Sequence, residues 1–230
     1  MVHVYIANVR DLPDPKEYPG IMGGLSEERK KKILRYRRDM DRKQSLGAGL
    51  LLYHVLKEHG FDAGKMSYGP HGKPEINGIY FNLSHSYDYV MCAVSDRIVG
   101  CDIEKTEKIR ENIAEHFFTE NEVRYLNTFE EKARLDEFYR MWTLKESYMK
   151  MTGEGMSLPL KAFDIQIGES IQIYREGKRC DCFIKEYEIA GYKVSVCAEE
   201  AVFEKEIEEI MLASVFPESM REYDFGVDEK

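Results

Sequence analysis

The sequence predicts an α+β protein built of two similar lobes, each a small sheet packed with helices, and three observations lead there. Short runs alternate apolar residues with period two, longer runs repeat them with helical spacing, and each half of the chain reads strand, helices, then strands. The halves meet near Gly100, so the expected lobes are residues 1–99 and 100–230, with a site at their seam. At 230 residues the chain can bury a proper core without covalent staples.

Val2, Val4 and Ile6 alternate within Met1 to Val9, the pattern of a strand. Pro13, Pro15, Pro19, Gly20, Gly23 and Gly24 then exclude regular structure as far as Ser26, which can cap a helix with Glu27 and Glu28 in its first turn. Ile33, Leu34, Tyr36, Leu46, Leu50, Tyr53 and Leu56 form the apolar side of a helical pattern that ends at His59 and Gly60, with a break near Asp39 or Gly47. Gly69-Pro70, Gly72-Lys73-Pro74 and Asn77-Gly78 are turn chemistry. Two strands, Tyr89 to Val94 and Ile98 to Ile103, are joined by Ser95-Asp96-Arg97, a length suited to a hairpin. Helices are expected over 112–117, 119–129 and 133–151, the second opened by the capping box of Thr119 and Glu122 and the third stopped by Thr152-Gly153. After Pro159 four strands follow, at 163–167, 171–174, 181–187 and 192–198, before an acid-rich tail.

Composition narrows the class. The five cysteines are an odd number with no Cys-x-x-Cys pair, which predicts free thiols and a cytoplasmic compartment. The amino terminus lacks a signal-peptide pattern and the longest apolar stretch is broken by His54, so a soluble protein with no membrane contact is expected. A net charge of −9 argues against a general nucleic-acid binder. That charge is uneven: Arg29 to Lys43 carries nine basic residues against Asp39 and Asp41, leaving this window +7 and the remainder −16. Such a face attracts a small polyanion or an acidic protein surface, and a solvated helix face explains it as simply.

Gly100-Cys101-Asp102-Ile103-Glu104 and Trp142-Thr143-Leu144-Lys145-Glu146-Ser147-Tyr148-Met149-Lys150 carry the chemistry. On a strand, Asp102 and Glu104 project to one face, where two carboxylates repel unless a cation lies between them. Mg²⁺ is the natural guest, although an edge strand facing solvent accounts for an Asp-x-Glu equally well. Glu146 shares a helix stripe with Trp142 and Met149, and Lys150 stands one turn later. Glu146 is then a third metal ligand or a base, with Lys145 and Lys150 on phosphate oxygens; the plain alternative is a helix ion pair. Asn82-Leu83-Ser84-His85-Ser86 is expected as a sharp loop whose hydroxyls and imidazole could hold a phosphate, and Lys73 sits on a stiff turn suited to a fixed anion.

Taken in order, these pieces resemble the Sfp-type 4′-phosphopantetheinyl transferases. The resemblance rests on the basic amino-terminal helix, Gly72-Lys73-Pro74, Phe81 to Ser86, Gly100 to Thr106, Phe117-Phe118-Thr119, Trp142 to Lys150 and Ser157-Leu158-Pro159-Leu160, nearly the whole chain. It implies a pseudo-twofold monomer holding coenzyme A between its lobes. It also implies Mg-dependent transfer of the phosphopantetheine arm to a serine of an apo acyl- or peptidyl-carrier protein, releasing adenosine 3′,5′-bisphosphate. By position Asp102, Glu104 and Glu146 would hold Mg²⁺, with Mn²⁺ able to replace it. Lys73, Ser84, His85, Lys145 and Lys150 would meet the coenzyme's phosphates, and Glu146 and Lys150 would be catalytic. Where the family commonly has an arginine before the Ser/Thr-Leu, this chain has Gln44, so Arg42 or Lys43 is expected to grip the adenosine end. Residues 105–118 match the carrier-docking region, with Ile109, Ile113 and Phe117 receiving a carrier helix or belonging to the core. A Mg-dependent phosphohydrolase and a catalytically dead binding module are the rival readings.

Overall fold

The computed structural model describes residues 1–69, 74–108 and 113–216. The first half contains β1 (His3–Asn8), α1 (Glu27–Arg35), α2 (Asp39–Glu58), β2 (Ser67–Tyr68), β3 (Pro74–Glu75), β4 (Tyr80–Ser86) and β5 (Tyr89–Ser95). Next come β6 (Val99–Lys105), α3 (Ile113–Phe117), α4 (Glu120–Leu126) and α5 (Glu131–Thr152). The chain continues through β7 (Phe163–Ile167), β8 (Ile171–Arg175), β9 (Lys178–Arg179), β10 (Phe183–Ile189), β11 (Tyr192–Ala198) and β12 (Glu208–Glu209). The class is α+β, as expected.

Two compact units emerge, each assembled from separate stretches. Of the described residues, one holds those within Val4–Gly78, Leu83–Cys92 and 207–216; the other holds those within Met1–His3, Ile79–Asn82 and Ala93–Glu206. This division differs from a single cut after residue 99, because β4 and β5 each begin in one unit and end in the other.

In the unit of the amino-terminal helices, the Ser26 hydroxyl accepts from the Arg29 amide at 3.2 Å, as its capping role requires. The break falls at Tyr36–Arg38, between α1 and α2. Gly47 does not interrupt α2; a Cβ there would stand 2.4 Å from Val9 Cγ1, so its bare backbone serves close packing. Leu46, Leu50, Leu51, Val55 and Leu56 bury the inner face of α2. Strand β1 pairs in parallel with β12, Tyr5 opposite Glu208, within a sheet ordered β12-β1-β5-β4.

Two local expectations are corrected. Asn82 to Ser86 is not a loop: it lies in β4, whose alternation buries Ser84 and Ser86 and exposes His85. The hairpin expected around Ser95-Asp96-Arg97 does not form, since β5 joins the first sheet and β6 pairs with β11 in another. The tight turn instead follows β4, at Tyr87 and Asp88, with Tyr87 at φ 49°.

In the other unit, β10, β11 and β6 form an antiparallel sheet, and β7, β8 and β9 form a second. The capping box is present, with Thr119 and Glu122 each bonding the other's backbone, and Gly153 closes α5 in the left-handed region at φ 73°. Phe118, Leu126, Phe138, Met141, Leu144, Tyr148, Phe163, Ile165 and Ile173 pack as its core.

Candidate active site

Strand β6 carries Gly100, Asp102 and Glu104 on one face, while Cys101 and Ile103 are fully buried behind them. The amide of Cys101 donates to Asn82 Oδ1 at 3.0 Å, so Asn82 fixes the strand rather than a ligand. Helix α5 lies against the carboxylate face. A Cβ on Gly100 would stand 2.2 Å from the Ser147 carbonyl oxygen and 2.3 Å from the Met151 amide nitrogen, so only glycine lets helix and strand backbones approach this far. Two residues along, Asp102 faces Ser195 of β11. Ser195 Oγ donates to the Thr143 carbonyl at 2.6 Å and lies 3.0 Å from Ser147 Oγ, tying β11 to α5 with every group buried.

Onto this frame α5 brings two charged side chains. Lys150 Nζ donates to Asp102 Oδ1 at 2.6 Å, from a side chain 26% exposed to one 4% exposed. Burial opposes the ammonium, but the negative fields of Asp102, Cys101 and Glu146 outweigh it and hold Lys150 above the ordinary lysine pKa. Glu146, one turn earlier and half-buried, is raised above the ordinary carboxylate range, first by burial and then by the charge of Asp102, with Lys150 pulling the other way. Two carboxylates thus share a site that one ammonium neutralises only in part.

Glu104 lies two residues further along the same face of β6. Its charge acts on the Tyr139 phenol, which is raised chiefly by burial, and its ladder partner is Lys193. Among the described residues no three His, Cys, Asp or Glu side chains are grouped so as to hold a metal, so the expected three-carboxylate cage is not assembled. The donor set still fits Mg²⁺, which commonly takes one or two carboxylates and fills its shell with water and phosphate oxygens. Asp102 and Glu146 supply two hard oxygen donors whose mutual repulsion favours a cation.

Lys145 is placed where it cannot meet a phosphate. Its ammonium is fully buried, donating to Glu122 Oε1 at 2.5 Å and to the Phe163 carbonyl at 2.8 Å, and it lies 4.2 Å from the centre of the Phe163 ring. Glu122 also accepts from the amides of Ile165 and Thr119, both at 2.8 Å, so this pair joins α4, α5 and β7. The sequence reading missed that role. Its one signal was Glu122, a capping-box acid with a second oxygen to spare.

The basic segment divides in the same way. Arg42 is buried: its guanidinium grips both Asp14 oxygens and donates to the Tyr36 and Arg37 carbonyls at 3.1 and 2.8 Å, which corrects its expected contact with an adenosine group. That grip holds Asp14 down to about 2. Gln44 donates to the Tyr87 carbonyl at 2.8 Å, and Lys43 Nζ to the Arg10 carbonyl at 3.2 Å. By contrast Arg29, Lys31, Lys32 and Arg35 line a cavity of about 420 Å³ together with Tyr53 and Tyr68. Burial lowers the pKa of Arg29 and of Lys32 there. Ser84 is buried and His85 exposed on β4, while Lys73 and Ile109 lie outside the described residues.

A profile of the 4′-phosphopantetheinyl transferase superfamily matches residues 98–197, the stretch that holds β6 and α5. The 4′-phosphopantetheinyl transferase Sfp of Bacillus subtilis (strain 168) is 32% identical over 201 residues, covering 84% of this chain and 90% of its own. The chain belongs to the Sfp-type 4′-phosphopantetheinyl transferase family. Another member, the 4′-phosphopantetheinyl transferase gsp of Aneurinibacillus migulanus, is 32% identical over 204 residues, covering 86% of each chain. Among solved structures, a holo-(acyl-carrier-protein) synthase from Bacillus anthracis in complex with CoA (3′,5′-ADP) aligns with 45% of this chain and 96% of its own, at 16% identity and a TM-score of 0.40. The phosphohydrolase reading gains no support from these relatives, and membership of a transferase family sets aside the dead module.

Proposed function

We propose that this chain transfers the 4′-phosphopantetheine arm of coenzyme A to a serine of an apo acyl- or peptidyl-carrier protein, with Mg²⁺, releasing adenosine 3′,5′-bisphosphate. The observation that carries the proposal is the meeting of Lys150, Asp102 and Glu146 where α5 crosses Gly100. Family membership supports the reaction class. No described helix is long and apolar enough to cross a membrane. A cytoplasmic monomer that binds no nucleic acid is the matching expectation, given the five free cysteines and the net charge of −9.

Each residue has a chemical task. Asp102 and Glu146, with Glu104 next along the strand, would hold Mg²⁺, which would supply positive charge to the coenzyme's pyrophosphate. Lys150 adds an ammonium whose raised pKa keeps it charged while negative charge develops on the bridging oxygen of the leaving group. Serine is a weak nucleophile without a proton acceptor, and Glu146, made more basic by burial and by Asp102, is suited to take its proton. The cavity lined by Arg29, Lys31, Lys32 and Arg35 gathers four cations, a lining suited to a polyanion. Lys73, Ser84 and His85 would meet the coenzyme's phosphates, and Lys43 its adenosine end.

The test is to incubate the protein with coenzyme A, Mg²⁺ and a panel of apo carriers and weigh each carrier. Gain of one phosphopantetheine arm is expected, and Asp102→Ala should abolish it while leaving the far-UV spectrum unchanged. No gain on any carrier, or release of free 4′-phosphopantetheine instead, would refute transfer.

A further inference from the structure

Building on the reading of Asp102 and Glu146 as cation ligands, we propose that Lys150 is a built-in competitor for the divalent cation. While the chain is free of coenzyme, the Lys150 ammonium holds the Asp102 oxygen that the cation would take. Tight cation binding then requires a polyanion to draw the ammonium away, so metal and coenzyme enter the site together rather than in turn.

Lys150 Nζ lies 2.6 Å from Asp102 Oδ1, the length of a direct charge-assisted bond that leaves no room for a water between them. The Asp102 side chain is only 4% exposed, so solvent screens little of the repulsion between that ammonium and a dication on the same carboxylate. Helix α5 is not free to back away and relieve it, because its backbone at Ser147 and Met151 is already packed on that of Gly100. The adjustment falls on the Lys150 side chain itself, which is 26% exposed and carries its charge on a long flexible stem.

Charge decides what moves it. Glu146 precedes Lys150 by one turn of α5, on the same face of the helix. Asp102 and Glu146 outnumber Lys150, so the three groups together are net negative, and a dication added with Lys150 in place turns them net positive. A pyrophosphate reverses that excess and offers the ammonium new oxygens in exchange for the one on Asp102. Cation and polyanion therefore favour each other's binding, each tightening the other by the same factor.

Binding of Mn²⁺ to full-length, coenzyme-free protein, followed by loss of the electron paramagnetic resonance signal of the free ion, tests this without any transfer activity. Lys150→Met is expected to bind Mn²⁺ roughly 10-fold tighter than wild type, a coupling of ordinary size between neighbouring sites. The gain should vanish when Asp102→Asn is added, because the competition is for that carboxylate. Lys150→Gln, which keeps a donor to Asp102 but no charge, should also bind more tightly and carries the test if Lys150→Met fails to fold. Wild-type affinity in the Lys150 variants, or a gain of equal size in the Asp102→Asn background, would overturn the proposal. An affinity that Asp102→Asn alone leaves unchanged would overturn the ligand reading instead, and transfer itself is decided separately by the mass of the carrier.

Discussion

Replacing Gly100 by alanine adds one methyl group where α5 crosses β6, and the effect can be worked from distances. The new Cβ would stand 2.2 Å from the Ser147 carbonyl oxygen, 2.3 Å from the Met151 nitrogen and 2.8 Å from the Met151 Cα, all backbone atoms that cannot rotate away. Ordinary contact lies near 3.5 Å, so the helix must retreat by roughly 1 Å. Overpacking of this kind costs about 1–3 kcal/mol, and in a protein of this size each kcal/mol lowers Tm by about 2–4 °C. The same retreat stretches the 2.6 Å contact between Lys150 and Asp102 and draws Glu146 from its place. A displacement near 1 Å at a reacting centre costs on the order of 100-fold in rate. Gly100→Ala should therefore lower both Tm and carrier modification, the second far more than the loss of folded protein explains. Gly24→Ala is the control, because a Cβ there meets nothing within 4 Å. A Gly100→Ala protein with unchanged Tm and transfer rate would refute the close-approach argument.

Lys145→Met should destabilise the protein by about 3–5 kcal/mol in urea unfolding, because it strands Glu122 in a fully buried site. The double change with Glu122→Gln should recover part of that loss; a single variant as stable as wild type would show that the pair is not a lock. Asp14 titrates at about 2 in the folded chain against 3.8 unperturbed, so its bond to Arg42 adds stability that is complete above pH 4 and fades as the pH falls towards 2. Asp14→Asn should flatten that part of the acid unfolding curve, and an unchanged curve would count against the bond.

Much of the fold is written in local chemistry. Ser26, the Thr119–Glu122 box and Gly153 each act within a few residues, and the helix ends they predict are found to within about two residues. The hairpin error is of another kind. Residues 89–103 carry two strands separated by a short polar link, which satisfies every local rule for pairing. Which partner a strand takes depends on surfaces far away in sequence: β6 pairs with β11, ninety residues on, and β5 lies beside β1. Ser84 and His85 were misread for a related reason, since their polar composition suggests a loop while their alternating exposure belongs to a strand.

The same contrast governs the site. Asp102, Glu146 and Lys150 could be picked out because their spacings, two on a strand and four on a helix, place side chains on known faces. Lys145 and Arg42 could not be sorted from Lys150 by type or spacing, as all are cations in basic or catalytic-looking segments. What separates them is the partner each finds: Glu122 for Lys145, Asp14 for Arg42, and a carboxylate beside a second carboxylate for Lys150. The first two are nearly or wholly closed off from solvent, with their donors spent on fixed oxygens, so they organise the fold. Lys150 keeps a quarter of its side chain exposed beside a carboxylate pair it neutralises only in part, and that residual charge imbalance is what an incoming polyanion and its cation can use.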